Sequence, residues 1–201
     1  RDISVRDTVK LATRRGHKNI SLDDIKISRR SSKSGVEIIY AIDASASMKG
    51  ERISMAKRAG IALAYKATDE KNKVGLIIFG EAVKDEVLPT MDFPLLLREI
   101  MKIRANRQTN ISKTIQRATE MMSRSNGSKH LMIITDALPT EGEDPAKETI
   151  ESAYMAKEND ITISLVGINL NKEGRALAEK LVEIVNGKLY IPKNTKNIDV
   201  L

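Results

Sequence analysis

Four apolar runs of strand length, separated by stretches with helical periodicity, constrain this chain more than any other feature. They cover residues 36–42, 74–79, 131–135 and 161–168. Strands buried on both faces read as near-continuous apolar runs, so these four predict a parallel sheet covered on both sides. From Glu51 the period changes to about 3.6, and Ile53, Ala56, Gly60, Leu63, Ala64 and Ala67 share a face, with Lys57, Arg58 and Lys66 outside. Residues 93–103 read as a second helix, and Ile111, Ile115, Ala118 and Met122 mark a third. Asp144 followed by Pro145 has the form of a helix cap and first position, opening a helix that packs through Ala146, Ile150 and Ala153. Leu177, Leu181, Ile184 and Val185 mark the last helix, Gly187 ends it, and residues 188–191 close the sheet. Residues 82–88 alternate and are charged, as a short edge strand would be. Strands alternating with helices predict a doubly wound, mostly parallel α/β domain.

At 201 residues the chain is long enough for one domain with an arm. The +7 net charge is unevenly placed: residues 1–35 hold 10 Lys and Arg against 4 Asp and Glu, whereas residues 36–201 hold 24 against 23. The arm has Ile3, Val5, Val9, Leu11, Ile25 and Ile27. These are too many apolar residues for a solvated tail and too few for a separate core. We therefore expect residues 1–35 to pack on the domain formed by 36–201, with a short helix in 1–16, an extended stretch at 21–27, and Arg14, Arg15, Arg29 and Arg30 as an exposed cationic rim. The arm lacks aromatics for base stacking, which argues against nucleic acid and for a protein partner. No cysteine is present, which excludes disulfides and thiolate metal sites and fits a reducing, cytoplasmic setting. No apolar run is long enough to span a membrane. Because the first residue is Arg1, the chain reads as a piece of a longer protein.

The first apolar run stops at Asp43, and Ser45 and Ser47 follow at alternate positions. Open α/β sheets place ligands beyond the carboxyl ends of their strands, where this loop would lie. A carboxylate with two hydroxyls is an all-oxygen set, suited to a hard cation such as Mg²⁺. The plainer reading of such a loop is a helix cap. Two further positions favour the site: Thr109, before the helix that opens at Asn110, and Asp136, directly after the third apolar run. Should the strands ending at Ile42 and Thr135 be neighbours, both aspartates would face one crevice. A cation held mainly by neutral oxygens stays electron-poor and would attract a carboxylate from a partner.

The order D-x-S-x-S, then Thr109, then Thr135-Asp136 after an apolar strand resembles the metal-ion-dependent adhesion site of von Willebrand factor A-type domains. The resemblance covers residues 36 to about 191. It implies a six-stranded sheet with one antiparallel edge strand, sandwiched between helices. It also implies Mg²⁺, with Mn²⁺ as a substitute, at Asp43, Ser45, Ser47, Thr109 and Asp136, one carboxylate often acting through water. Ala46, Arg107-Gln108 and Ala137 stand where that family usually has glycines. The arm is similar to the segment before this domain in the D subunits of magnesium chelatases, which implies an AAA+ ATPase as partner.

Catalytic patterns are scarce. The chain has neither a phosphate-binding P-loop nor a dinucleotide glycine motif nor a nucleophile elbow. His17 lies in the arm, and His130, just before a strand, reads as a surface or capping residue. The enzymatic alternative is a metal-dependent phosphatase with Asp43 as nucleophile, which would need a second acid where Ser45 stands. No catalytic activity is expected of the domain alone. It would serve instead as part of an ATP-dependent metal chelatase.

Overall fold

The computed structural model describes residues 2–3, 27–28, 35–105, 109–136 and 139–192. The chain divides into two units, Arg1–Ser34 and Gly35–Leu201. In the first, β1 (Asp2–Ile3) pairs antiparallel with β2 (Ile27–Ser28). Asp2 and Ile3, expected in a helix, are thus extended. The remainder of the arm, its packing and its cationic rim lie outside the described residues.

The second unit is built on a six-stranded sheet of β3 (Glu37–Asp43), β4 (Lys73–Phe79), β5 (Val83–Thr90), β6 (Lys129–Thr135), β7 (Ile161–Gly167) and β8 (Leu189–Tyr190). The spatial order is β5-β4-β3-β6-β7-β8, and only the β4–β5 pairing is antiparallel. Successive β3 side chains serve opposite cores, as the two-residue strand period requires. Ile39 and Ala41 join Phe79, Ile115, Leu131 and Leu165 on one face, while Tyr40 and Ile42 join Leu76, Leu96 and Ile134 on the other. Helices α1 (Glu51–Asp69) and α2 (Phe93–Lys102) cover the second face. Helices α3 (Ile111–Met121), α4 (Pro145–Glu158) and α5 (Lys172–Ile184) cover the first. The predicted doubly wound architecture is therefore present. No helix among the described residues is long and apolar enough to cross a membrane.

The helix faces differ from the expected ones in detail. Helix α1 buries Met55, Ala56, Ala59, Gly60, Ala64 and Ala67, leaving Ile53 and Leu63 only half-buried. The small residues win because they let the helix approach β3, and a Cβ at Gly60 would lie 2.7 Å from the Ile42 side chain. Lys57, expected outside, is half-buried and donates to the Met101 carbonyl at 2.9 Å, satisfying the last turn of α2. Helix α4 packs through Thr149, Ser152, Ala153 and Ala156, with Ala146 exposed and Ile150 half-buried. The contact that turns this face inward is polar: the Ser112 and Ser152 hydroxyls lie 2.6 Å apart between α3 and α4.

Three features lie at or near element boundaries. Strand β5 runs two residues beyond its expected end, through Pro89 to Thr90; Lys84, Asp85 and Glu86 are exposed, and its pairing with β4 has two register shifts. At the end of α5 the left-handed residue is Asn186 (φ 53°), so Gly187 is required for a different reason: a Cβ there would lie 1.6 Å from the Ile163 carbonyl oxygen. Finally, His130 lies within β6, half-buried, with Nε2 lacking a partner among the described residues, and burial lowers its pKa. The surface or capping role expected for it is replaced by a place in the sheet.

Candidate metal centre

Strands β3 and β6 are adjacent and parallel, with Ile42 opposite Ile134, so their carboxyl ends open onto the same edge. The chain winds outward from β3 through β4 to β5, then returns to β6 on the other side, which makes this the switch point of the sheet. Asp43 is the last residue of β3 and Asp136 directly follows β6. Both are buried.

Asp43 is fixed through both carboxylate oxygens. The Ser45 amide donates to Oδ1 at 2.8 Å, and the Thr135 hydroxyl donates to Oδ2 at 2.6 Å. Burial pushes the Asp43 pKa up to about 6; the bonds from Thr135 and Ser45 pull against this, and the charge of Asp136 adds to it. Ser45 is buried and extended (φ −68°, ψ 168°), and the chain then enters a short 3-10 turn over Ala46–Met48. Fully buried Met48 anchors that turn in the core. Ser47 is exposed at the mouth, its hydroxyl 2.9 Å from that of Ser45. Ala46 has no positive φ, so glycine is not needed there; the left-handed glycine is Gly50 (φ 78°), which caps α1.

Thr109 arrives from the other side. The Asn110 amide donates to the Gly80 carbonyl at 2.7 Å, just past the end of β4, while Ala44 N–H donates to Phe79 O at 2.7 Å. The Asp43 loop and the Thr109 loop are therefore both tied to the tip of β4. The Thr109 amide donates to the Thr140 hydroxyl, and its carbonyl accepts from Thr140 and Glu141, which leaves the buried Thr109 hydroxyl outside these backbone bonds. The Asn110 side chain accepts from Lys113 N–H at 2.9 Å and caps α3. Asn110→Ala is expected to cost about 1 kcal/mol by loss of this cap, read as a lower midpoint in urea unfolding.

Asp136 has the least settled surroundings. Its Oδ1 is buried with no hydrogen-bond partner among the described residues. Its Oδ2 accepts from Arg52 Nη1 at 3.2 Å, and the same nitrogen donates to the Ser47 carbonyl at 3.0 Å. Arg52 and Thr140 are parts of the site that sequence reasoning did not select, and Thr135, named there only as the residue before Asp136, is the donor to Asp43. Only Arg52 had a local signal, since a cation in the first turn of a helix opposes the helix dipole unless an anion faces it. Residues 106–108 and 137–138, which include Arg107, Gln108 and Ala137, lie outside the described residues. Among those described, no group of three or more His, Cys, Asp or Glu could hold a metal. The donors gathered here are two carboxylates and hydroxyls, a hard-oxygen set.

The von Willebrand factor type A domain model matches residues 38–139. With this sheet order and edge, the chain belongs to that family. A narrower likeness is to two proteins called magnesium-chelatase 67 kDa subunit: 29% identity over 196 residues in Chlorobaculum parvum and 27% over 192 in Heliobacterium mobile, each alignment covering 88% of this chain. Those alignments span 32% and 29% of the relatives, so the chain covers about a third of their length. Among solved structures, an aerotolerance-related membrane protein from Bacteroides fragilis superposes with a TM-score of 0.68 at 21% identity, covering 80% of this chain and 93% of that one. The manganese-loaded TRAP protein of Plasmodium vivax gives 0.59 at 14%, covering 73% and 63%. At these identities the two structures share the fold.

Proposed function

We propose that this domain is a Mg²⁺-dependent protein-binding module, with Mn²⁺ able to substitute, whose cation captures an acidic side chain of a partner. The observation that carries the reading is the buried Oδ1 of Asp136, without a hydrogen-bond partner among the described residues, at the same strand edge as the paired Ser45 and Ser47 hydroxyls. An uncompensated carboxylate oxygen is costly in a buried setting, and a hard cation is what this donor set would accept. Asp136, Ser45, Ser47 and Thr109 would hold the ion. Asp43 already accepts an N–H and an O–H, so it suits the carboxylate that acts through water. The cation would supply a positive centre for an external carboxylate, while Met48 and the bonds to the β4 tip keep the loops in place. The likeness to magnesium-chelatase 67 kDa subunits supports a setting in a magnesium- or cobalt-chelatase-like complex, with an AAA+ ATPase as the acidic partner, in the cytoplasm. A nucleophilic Asp43 is poorly supported, because that residue is 0% exposed and both its oxygens accept hydrogen bonds.

Calorimetric titration with Mn²⁺ and Mg²⁺, with and without N-acetyl-glutamic acid amide, tests the reading. We expect one site whose affinity rises when the carboxylate is present, because the external ligand completes the coordination shell. No binding under either condition would sink the proposal.

A further inference from the structure

Arg52 crosses the mouth of this site. Its Nη1 bridges the Ser47 carbonyl and Asp136 Oδ2, and those two acceptors belong to the two loops on either side of the crevice. The partners are unequal in exposure: the arginine side chain is 36% exposed and the aspartate 2%. A positive charge thus already sits on the carboxylate proposed to hold the cation. The 3.2 Å separation is long for a charge-assisted bond, which normally lies nearer 2.8 Å, and the other oxygen of Asp136 has no partner among the described residues. The contact therefore engages Asp136 through one oxygen only. Its position in the first turn of α1, where the helix dipole disfavours a cation, points the same way: the helix does not stabilise Arg52, the carboxylate does.

Resting on the metal reading above, we infer that Arg52 is an internal counter-ion that neutralises Asp136 in the metal-free site and, once Asp136 turns to a cation, is released to grip the incoming carboxylate. Two positive centres near one carboxylate repel each other, so Arg52 and the cation compete for Asp136. A guanidinium freed at the mouth has a planar fork of donors that matches a carboxylate. Metal loading and partner capture are thereby coupled through one side chain. Acidic side chains able to approach both the cation and a guanidinium would be favoured over other oxygen ligands.

The test uses the full chain and the variants Arg52→Met and Arg52→Lys, with Mn²⁺ alone and then N-acetyl-glutamic acid amide as probes. In the absence of the carboxylate, Arg52→Met is expected to bind Mn²⁺ about three- to tenfold more tightly than the wild type, a coupling of ordinary size for interacting sites. Arg52→Lys, which keeps the charge and loses the fork, is expected to fall between. With Mn²⁺ saturating, Arg52→Met is expected to bind the carboxylate about three- to tenfold more weakly. Metal-free melting curves check that each variant is folded. Unchanged or weaker Mn²⁺ binding by a folded Arg52→Met would overturn the counter-ion role while leaving the metal site standing. Tighter metal binding with unaltered carboxylate affinity would overturn the hand-over. If neither protein binds Mn²⁺ with or without the carboxylate, the metal reading fails and this inference with it.

Discussion

Asp43→Asn is expected to abolish calorimetric Mn²⁺ binding and at the same time to raise the melting temperature of the metal-free domain at pH 7.5. The two effects have one origin. Asp43 is ionised at neutral pH despite complete burial, and its pKa stands at about 6 against an ordinary 3.8. The sign follows directly: a carboxyl whose folded pKa is raised costs the native state above pH 6, and the cost is absent below about 3.8. Retaining that charge at pH 7.5 costs on the order of 2–3 kcal/mol. An amide removes the charge and keeps the bonds, since its oxygen can accept from Ser45 N–H and its NH₂ can donate to the Thr135 hydroxyl. We therefore expect a melting temperature several degrees higher at pH 7.5. The advantage should shrink as pH falls through 6 and vanish near 4. Destabilisation at every pH would show that the carboxylate bonds outweigh the buried charge. Retained metal binding would remove Asp43 from the site.

Gly187→Ala is expected to be the most destabilising single methyl in the domain. The added carbon would lie 1.6 Å from the Ile163 oxygen and 2.6 Å from its carbonyl carbon, and both are backbone atoms of a central-layer strand that cannot rotate away. Relief requires moving the segment that carries Lys188 and Leu189, which bonds to Leu165 N and the Ser164 hydroxyl and pairs β8 with β7. Overpacking of this kind costs about 3 kcal/mol or more. For a domain of this length that is about 10 °C in melting temperature. Amide exchange should show β8 losing protection first. A domain that melts unchanged would mean the chain takes another course after α5.

Four of the six strands of the main sheet were legible because each is an apolar run too long for a loop and too short for most helices, and β5 was legible from its charged alternation. The candidate site was legible to the extent that its residues end apolar runs or open helices: Asp43, Asp136 and Thr109 are all of that kind. Other parts were silent for a physical reason. Thr135 was noticed only as the residue before Asp136, and its bond to Asp43 spans 92 residues, which no local pattern shows. The buried face of α4 was read only in part: Ala153 is buried as expected, but apolar periodicity missed Thr149 and Ser152, and Ser152 meets Ser112 of α3. Gly187 was read only as the residue that ends the last helix. Its neighbour Asn186 turns the chain, and the glycine makes room.

The bulged, charged edge at β5 has a consequence for how this domain can be held in an assembly. A chain seeking to extend the sheet there would meet Lys84, Asp85 and Glu86, the salt bridge from Glu86 to Arg117, and a proline at position 89 that offers no amide. At the other edge β8 has only two residues. Neither flank is a good template for a seventh strand. On the proposed reading, a partner would grip the domain at its tip, by side chains, and could let go without unzipping any backbone ladder.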